Sequence, residues 1–147
     1  MKTKNALLLI LSFFMLLGIG GCKDKEDSAG LKGTKWKLSG IVEVKSATLT
    51  ELEPKDCEKC YTIDFNTETK GTGRSILNTI EVDLSNAPFF GGMTKVGDNE
   101  IGNVSLFYNA ISFIEYYTRK GDELSFFYNN GQYYLLYKLY SHEENNF

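Results

Sequence analysis

Histidine, tryptophan, proline and cysteine are all scarce in this chain. Its 147 residues hold one His, one Trp, two Pro and three Cys. A single imidazole excludes any mechanism that needs two. His142 opens a polar tail, residues 142–147, where it serves no Ser-His-Asp set. Zinc needs four ligands, commonly Cys or His, so no metal is expected and no cofactor either. A basic surplus is missing too: 16 Lys and Arg stand against 19 Asp and Glu, a formal net charge of -3. That balance excludes a nucleic-acid footprint. No glycine-rich phosphate loop follows a strand and opens a helix; Gly71-Thr72-Gly73 lacks the rest of that pattern. Glu81 and Asp83 share one strand face and read as a solvated pair rather than a catalytic one. No internal repeat or low-complexity block occurs. The expectation is a protein that is not an enzyme.

What is present is enough to fold. Hydrophobic residues make up 42% and aromatics 14%. That composition builds one small core and argues against wholesale disorder.

The chain opens with an address. Lys2 and Lys4 precede an apolar run from Ala6 to Leu17, and Gly18, Gly20 and Gly21 lead to Cys22. A basic head, a short apolar stretch and a small-residue exit make a secretory signal peptide over residues 1–21. The run is too short to favour a membrane-spanning helix. Ile19-Gly20-Gly21-Cys22 resembles a bacterial lipobox. The resemblance implies that the Cys22 thiol takes a diacylglycerol and that an acylated Cys22 becomes the first mature residue. Cleavage leaves 147 − 21 = 126 residues and removes two lysines, so 14 bases face 19 acids, a net charge of -5. Residues 22–30, rich in charge and small side chains, read as a flexible tether. The charged run Lys23 to Asp27 also resembles the surface-export signal of Bacteroidetes lipoproteins.

Residues 31–141 read as strands. Trp36 and Leu38 alternate with Lys35 and Lys37 in a first strand, Thr34 to Val44, in which Gly40 permits a bulge. Ser46 to Leu52 reads as an edge hairpin, and Tyr61 to Phe65 as another strand. Asn66 to Gly73 reads as a polar turn. Ile80, Val82 and Leu84 then alternate with polar residues. Ser85 to Gly102 has no regular pattern. Asn103 is placed to cap a short helix to Ser112, with Val104, Phe107, Tyr108 and Ile111 on one face. Phe113 to Arg119, Leu124 to Tyr128 and Tyr133 to Tyr140 form a meander, with Asn129-Asn130-Gly131 as a hairpin turn. The expected fold is all-β: a small antiparallel meander barrel of about eight strands with at most one short helix.

Gly33-Thr34-Lys35-Trp36-Lys37-Leu38, Tyr116-Tyr117 and Gly121-Asp122-Glu123-Leu124 follow the order of the META-domain and lipocalin-like bacterial lipoproteins. Gly73-Arg74-Ser75 stands where that family carries Gly-Cys-Asn. The resemblance implies a barrel at the envelope that binds a small hydrophobic ligand or supports stress resistance. Size, lipobox and charged tether also resemble the potempin-type protease-inhibitor lipoproteins. That resemblance implies a domain at the outer membrane that occludes a secreted protease.

Cys57-Glu58-Lys59-Cys60 is the sharpest local motif. In an exported protein the pair is expected to form a disulfide. A redox CxxC wants its first Cys at a helix N-terminus, whereas this pair precedes a strand. Two further readings stand side by side. The disulfide staples the loop, or the stiffened loop, with Glu53, Pro54, Lys55, Asp56, Glu58, Lys59 and Tyr61, is a recognition element. Phe89 and Phe90 likewise read either as an apolar loop tip for a partner's pocket or as a plug for one barrel end.

Overall fold

The computed structural model describes residues 30–94 and 102–140, with Phe90 described by its backbone alone. The leader, Cys22, most of the tether, Gly97-Asp98-Asn99 and the tail with His142 lie outside the described residues.

Among the described residues, nine strands and one helix follow one another: β1 (Lys35–Glu43), β2 (Thr48–Thr50), β3 (Thr62–Phe65), β4 (Lys70–Arg74), β5 (Thr79–Asp83), β6 (Phe90–Met93), α1 (Val104–Ser112), β7 (Tyr116–Lys120), β8 (Glu123–Tyr128) and β9 (Tyr133–Leu139). They form one antiparallel sheet in the order β6-β5-β4-β3-β1-β9-β8-β7, with β2 paired to the far half of β1. The sheet curls into a half-barrel around α1.

β1 is the spine. Its first residues pair with β3, its last with β2, and its whole length with β9. The expected bulge falls between Leu38 and Gly40, where the register with β9 shifts. It requires glycine because a Cβ there would come within 2.5 Å of the Thr50 carbonyl oxygen. The bulge lets Trp36, Leu38 and Ile41 all face inward, each under a tenth exposed.

The concave face carries Trp36, Ile63, Ile80, Leu124, Phe126, Leu135 and Tyr137, all fully buried. α1 lies across it and touches β6, β8 and β9. Its buried face is Val104, Phe107, Ala110 and Ile111. At Gly91 of β6 the helix backbone comes close: a Cβ there would meet the Ile111 carbonyl oxygen at 2.0 Å. β6 and β7 end the strand order, and Phe89 reaches across to Tyr117, edge to face at 5.8 Å.

Four local expectations need correction. The polar turn ends at Thr69, because Lys70 to Arg74 runs as β4 between β3 and β5. The irregular stretch contains β6, which pairs with β5. Phe113 is the helix C-cap and donates its amide to Ala110, so β7 begins only at Tyr116. Asn103 occupies the N-cap position without a side-chain cap, because its oxygen is used elsewhere.

Candidate functional site

The segment Glu51 to Tyr61 leaves β2 and must reach the start of β3. It closes over the end of the sheet where β4 and β5 turn. Two of its residues belong to the core. Leu52 and Tyr61 are buried, and the Tyr61 ring meets Phe107 edge to face at 5.0 Å. Tyr61 adopts a positive φ of 53°, which turns its ring inward while its carbonyl oxygen accepts from Leu38.

The loop between these anchors is tied at every stage. The Tyr61 hydroxyl donates to the Glu53 carbonyl at 2.7 Å. The Glu53 amide donates to Asn103 Oδ1 at 3.0 Å, so the oxygen expected to cap α1 is used here instead. Cys57 and Cys60 are joined in a disulfide, with Cα atoms 5.4 Å apart, and Cys60 is buried. Lys37 reaches from β1 and donates to both the Cys57 carbonyl, at 2.6 Å, and the Cys60 carbonyl. The Tyr140 hydroxyl, just after β9, donates to Glu58 at 2.8 Å. Burial lowers the Lys37 ammonium from the ordinary lysine range, with the nearby Glu58 charge opposing. The hydrogen bond to Glu58 raises the Tyr140 hydroxyl.

The loop therefore presents side chains on a fixed backbone. Glu53, Lys55, Asp56, Glu58 and Lys59 are exposed, and Pro54 and Cys57 are half-buried. Lys55 pairs with Glu51 at 3.1 Å, and that contact raises its ammonium above the ordinary range. A depression of about 140 Å³ lies under the loop, lined in part by Lys37, Leu52, Pro54 and Tyr61. No helix begins at Cys57, so the pair lacks the helix N-terminus that lowers a redox thiol's pKa.

Of the residues singled out in the sequence, Glu53 to Lys59 come together on this loop. Tyr61 is 3% exposed and positions the loop from beneath, so it offers no surface to a partner. Phe89 lies on the Tyr117 ring, half-buried, away from the loop. Phe90 opens β6 opposite Asp83. Cys22 lies outside the described residues. Sequence reasoning missed Lys37, Asn103 and Tyr140, because their partners lie 20, 50 and 82 residues away. It also missed a buried polar cluster beside the loop, where the Tyr108 hydroxyl lies 2.6 Å from Ser75 Oγ and accepts from Asn78 Nδ2 at 2.9 Å. Tyr61 joins that cluster through its amide, which donates to the Ser75 carbonyl.

Over 139 residues the chain is 44% identical to a Tannerella forsythia protein named "Putative lipoprotein", covering 92% of this chain and 96% of that one. The chain belongs to this lipoprotein's family. No protein-family model matches it. A crystal structure of a DUF4847 family protein from Bacteroides vulgatus is similar in fold, with a TM-score of 0.56 over 77% of this chain and 96% of that one. Its sequence is 12% identical, so the likeness carries the fold alone. The Bacteroidetes-type lipoprotein reading thus has a relative behind it. Neither similar protein bears a META-domain or potempin name.

Proposed function

We propose that this lipoprotein is a non-enzymatic protein-binding module, held by acylated Cys22 at the outer membrane, facing outward, and that it inhibits a secreted protease by occlusion. The Glu53 to Lys59 loop is the recognition element. One observation carries the reading: the loop backbone is fixed by a disulfide and by the side chains of Lys37, Tyr61 and Asn103, while its charged side chains stay exposed. A loop that is already ordered loses little entropy on binding. The alternative, a small hydrophobic ligand inside the barrel, has less support, because Trp36, Phe107, Phe126 and Tyr137 fill the interior.

The test uses the mature lipidated chain in detergent as bait for the organism's secreted proteins. Capture of a protease that loses activity at stoichiometric bait supports the inhibitor reading. Replacing both Cys57 and Cys60 by Ser should weaken capture while the sheet stays folded by circular dichroism. Capture of no protein, with a lipid co-purifying instead, sinks the reading in favour of the ligand-binding alternative.

A further inference from the structure

The outer face of the sheet beside the stapled loop carries a groove of about 210 Å³, of side-chain size rather than metabolite size. Register places its strand residues on one face: Lys35 lies opposite Asp64 across β1 and β3, and Thr62 lies opposite Arg74 across β3 and β4. Lys59 and Glu58 enter from the loop and Tyr140 from the end of β9. Three cations therefore face two acids here, on a mature chain whose net charge is -5.

Both acids are already engaged. Asp64 lies 3.6 Å from the Lys35 ammonium, and Glu58 accepts the Tyr140 hydroxyl. Among the described residues the side chains of Lys59 and Arg74 make no hydrogen bond or ion pair. Arg74 thus offers an unused planar fork that matches a carboxylate. Lys59 lies between the two bonded cysteines, so its backbone is already in place. Surface charges farther away than about 8 Å are largely screened at physiological salt, so the chain's overall negative charge does not cancel this local excess.

We propose that this groove receives the carboxylate side chain of an acidic protein segment, with Arg74 and Lys59 as its two cationic contacts. The proposal deepens the protein-binding reading and rests on it: the stapled loop would form one wall of the partner site and β3 with β4 its floor.

The probe is a fluorescent hexaglutamate peptide, titrated by anisotropy into the mature lipidated chain in nanodiscs of neutral lipid. Hexaglutamate should bind and weaken as salt rises, and hexaglutamine should not bind. Lys59→Glu with Arg74→Glu should weaken binding by about tenfold or more. Lys45→Glu, an exposed change on the β1–β2 turn, should leave it unchanged. Thermal unfolding at the wild-type temperature confirms that each variant is folded. The proposal is overturned if the two peptides bind alike, if neither binds, if the double variant binds like wild type, or if a sulfated oligosaccharide outcompetes the peptide at the same residues. The two readings fail separately. A captured protease that binds the double variant unchanged removes the groove and leaves the loop. Hexaglutamate binding with no captured protein keeps the groove and removes the inhibitor.

Discussion

The two halves of the curled sheet solve the same packing problem in opposite ways. β1, β9, β8 and β7 are rich in aromatics. Trp36, Tyr137 and Phe126 fill their concave side, and Phe126 meets Tyr137 edge to face at 5.5 Å. Their convex side carries a row running strand to strand through Tyr116, Phe127, Tyr134, Val42 and Leu49. β3 to β6 carry Gly71, Gly73 and Gly91 among their paired residues, and their convex side holds Thr62, Asp64, Thr72, Arg74 and Glu81. An aromatic strand fills its own share of the interior. A glycine strand leaves space, and another element must enter it. At Gly71 and Gly73 that neighbour is β3, through Ile63, Phe65 and the Thr62 backbone; at Gly91 it is α1, which is also held by Tyr61 before β3 and by Ser75 and Asn78 between β4 and β5, and which touches β8 and β9 of the aromatic half as well. The stapled loop belongs to this second half and shares its fixings.

If that contrast is right, the largest loss comes from removing what fills the glycine half. Phe107 is fully buried between Tyr61 and the sheet. Phe107→Ala should cost about 4 kcal/mol, because it deletes a buried ring and leaves a cavity that strands cannot close. Urea unfolding measures it. A loss under about 1 kcal/mol would mean that α1 is not part of the core.

Gly91→Ala attacks the same contact from the sheet side. Its Cβ would press on the Ile111 carbonyl oxygen, which is backbone and cannot rotate away. The expected cost is about 2 kcal/mol, in the overpacking range. Restoring the loss by shortening Ile111 to Val would not fit this account, since the obstruction is the carbonyl and not the side chain.

The aromatic half should respond with the opposite sign at one position. The Tyr137 hydroxyl is buried with no hydrogen-bond partner among the described residues, and burial holds it well above the ordinary phenol range. Tyr137→Phe removes an unsatisfied polar group and should stabilise by about 1 kcal/mol. For a domain of this size that is roughly 4 °C in Tm. The pH dependence follows from linkage. A raised native pKa means that the unfolded chain loses this proton first, so stability falls as pH rises beyond about 10, the unfolded value. Tyr137→Phe should flatten that alkaline decline. A variant less stable than wild type at neutral pH would mean that the hydroxyl has a partner in solution, such as an internal water.

How far the sequence reveals this arrangement depends on the half. In the aromatic half, alternation marks β8 and β9, and Asn129-Asn130-Gly131 marks their turn with three positive φ values of 54°, 56° and 69°. The bulge was legible because Gly40 interrupts an otherwise regular pattern. In the glycine half, β4 reads Lys-Gly-Thr-Gly-Arg and β6 reads Phe-Gly-Gly-Met. Their inward positions include glycines, so hydrophobic periodicity has nothing to report there. Those strands exist because their backbones pair on both sides or on one, which is a property of neighbours. The candidate site divides the same way. The cysteine spacing is local and visible. Lys37 reads simply as the solvent side of a strand until the loop arrives to cover it.

The smallest effect concerns the convex row. Tyr116 and Phe127 stack with ring centroids 4.4 Å apart and planes 9° from parallel, and Tyr134 follows at 4.9 Å from Phe127. Stacked this way, Tyr116 and Phe127 each give one ring face to the other. That geometry suits cross-strand stabilisation. A double-mutant cycle with Tyr116→Ala and Phe127→Ala should give a coupling of about 0.5–1 kcal/mol. Tyr116 is 46% exposed, so each single change should cost far less than Phe107→Ala. A coupling near zero would separate the row from the fold altogether. Its conspicuous aromatic content would then have to be explained by what the convex face meets, and the contrast between the two halves would be one of binding surface rather than of packing.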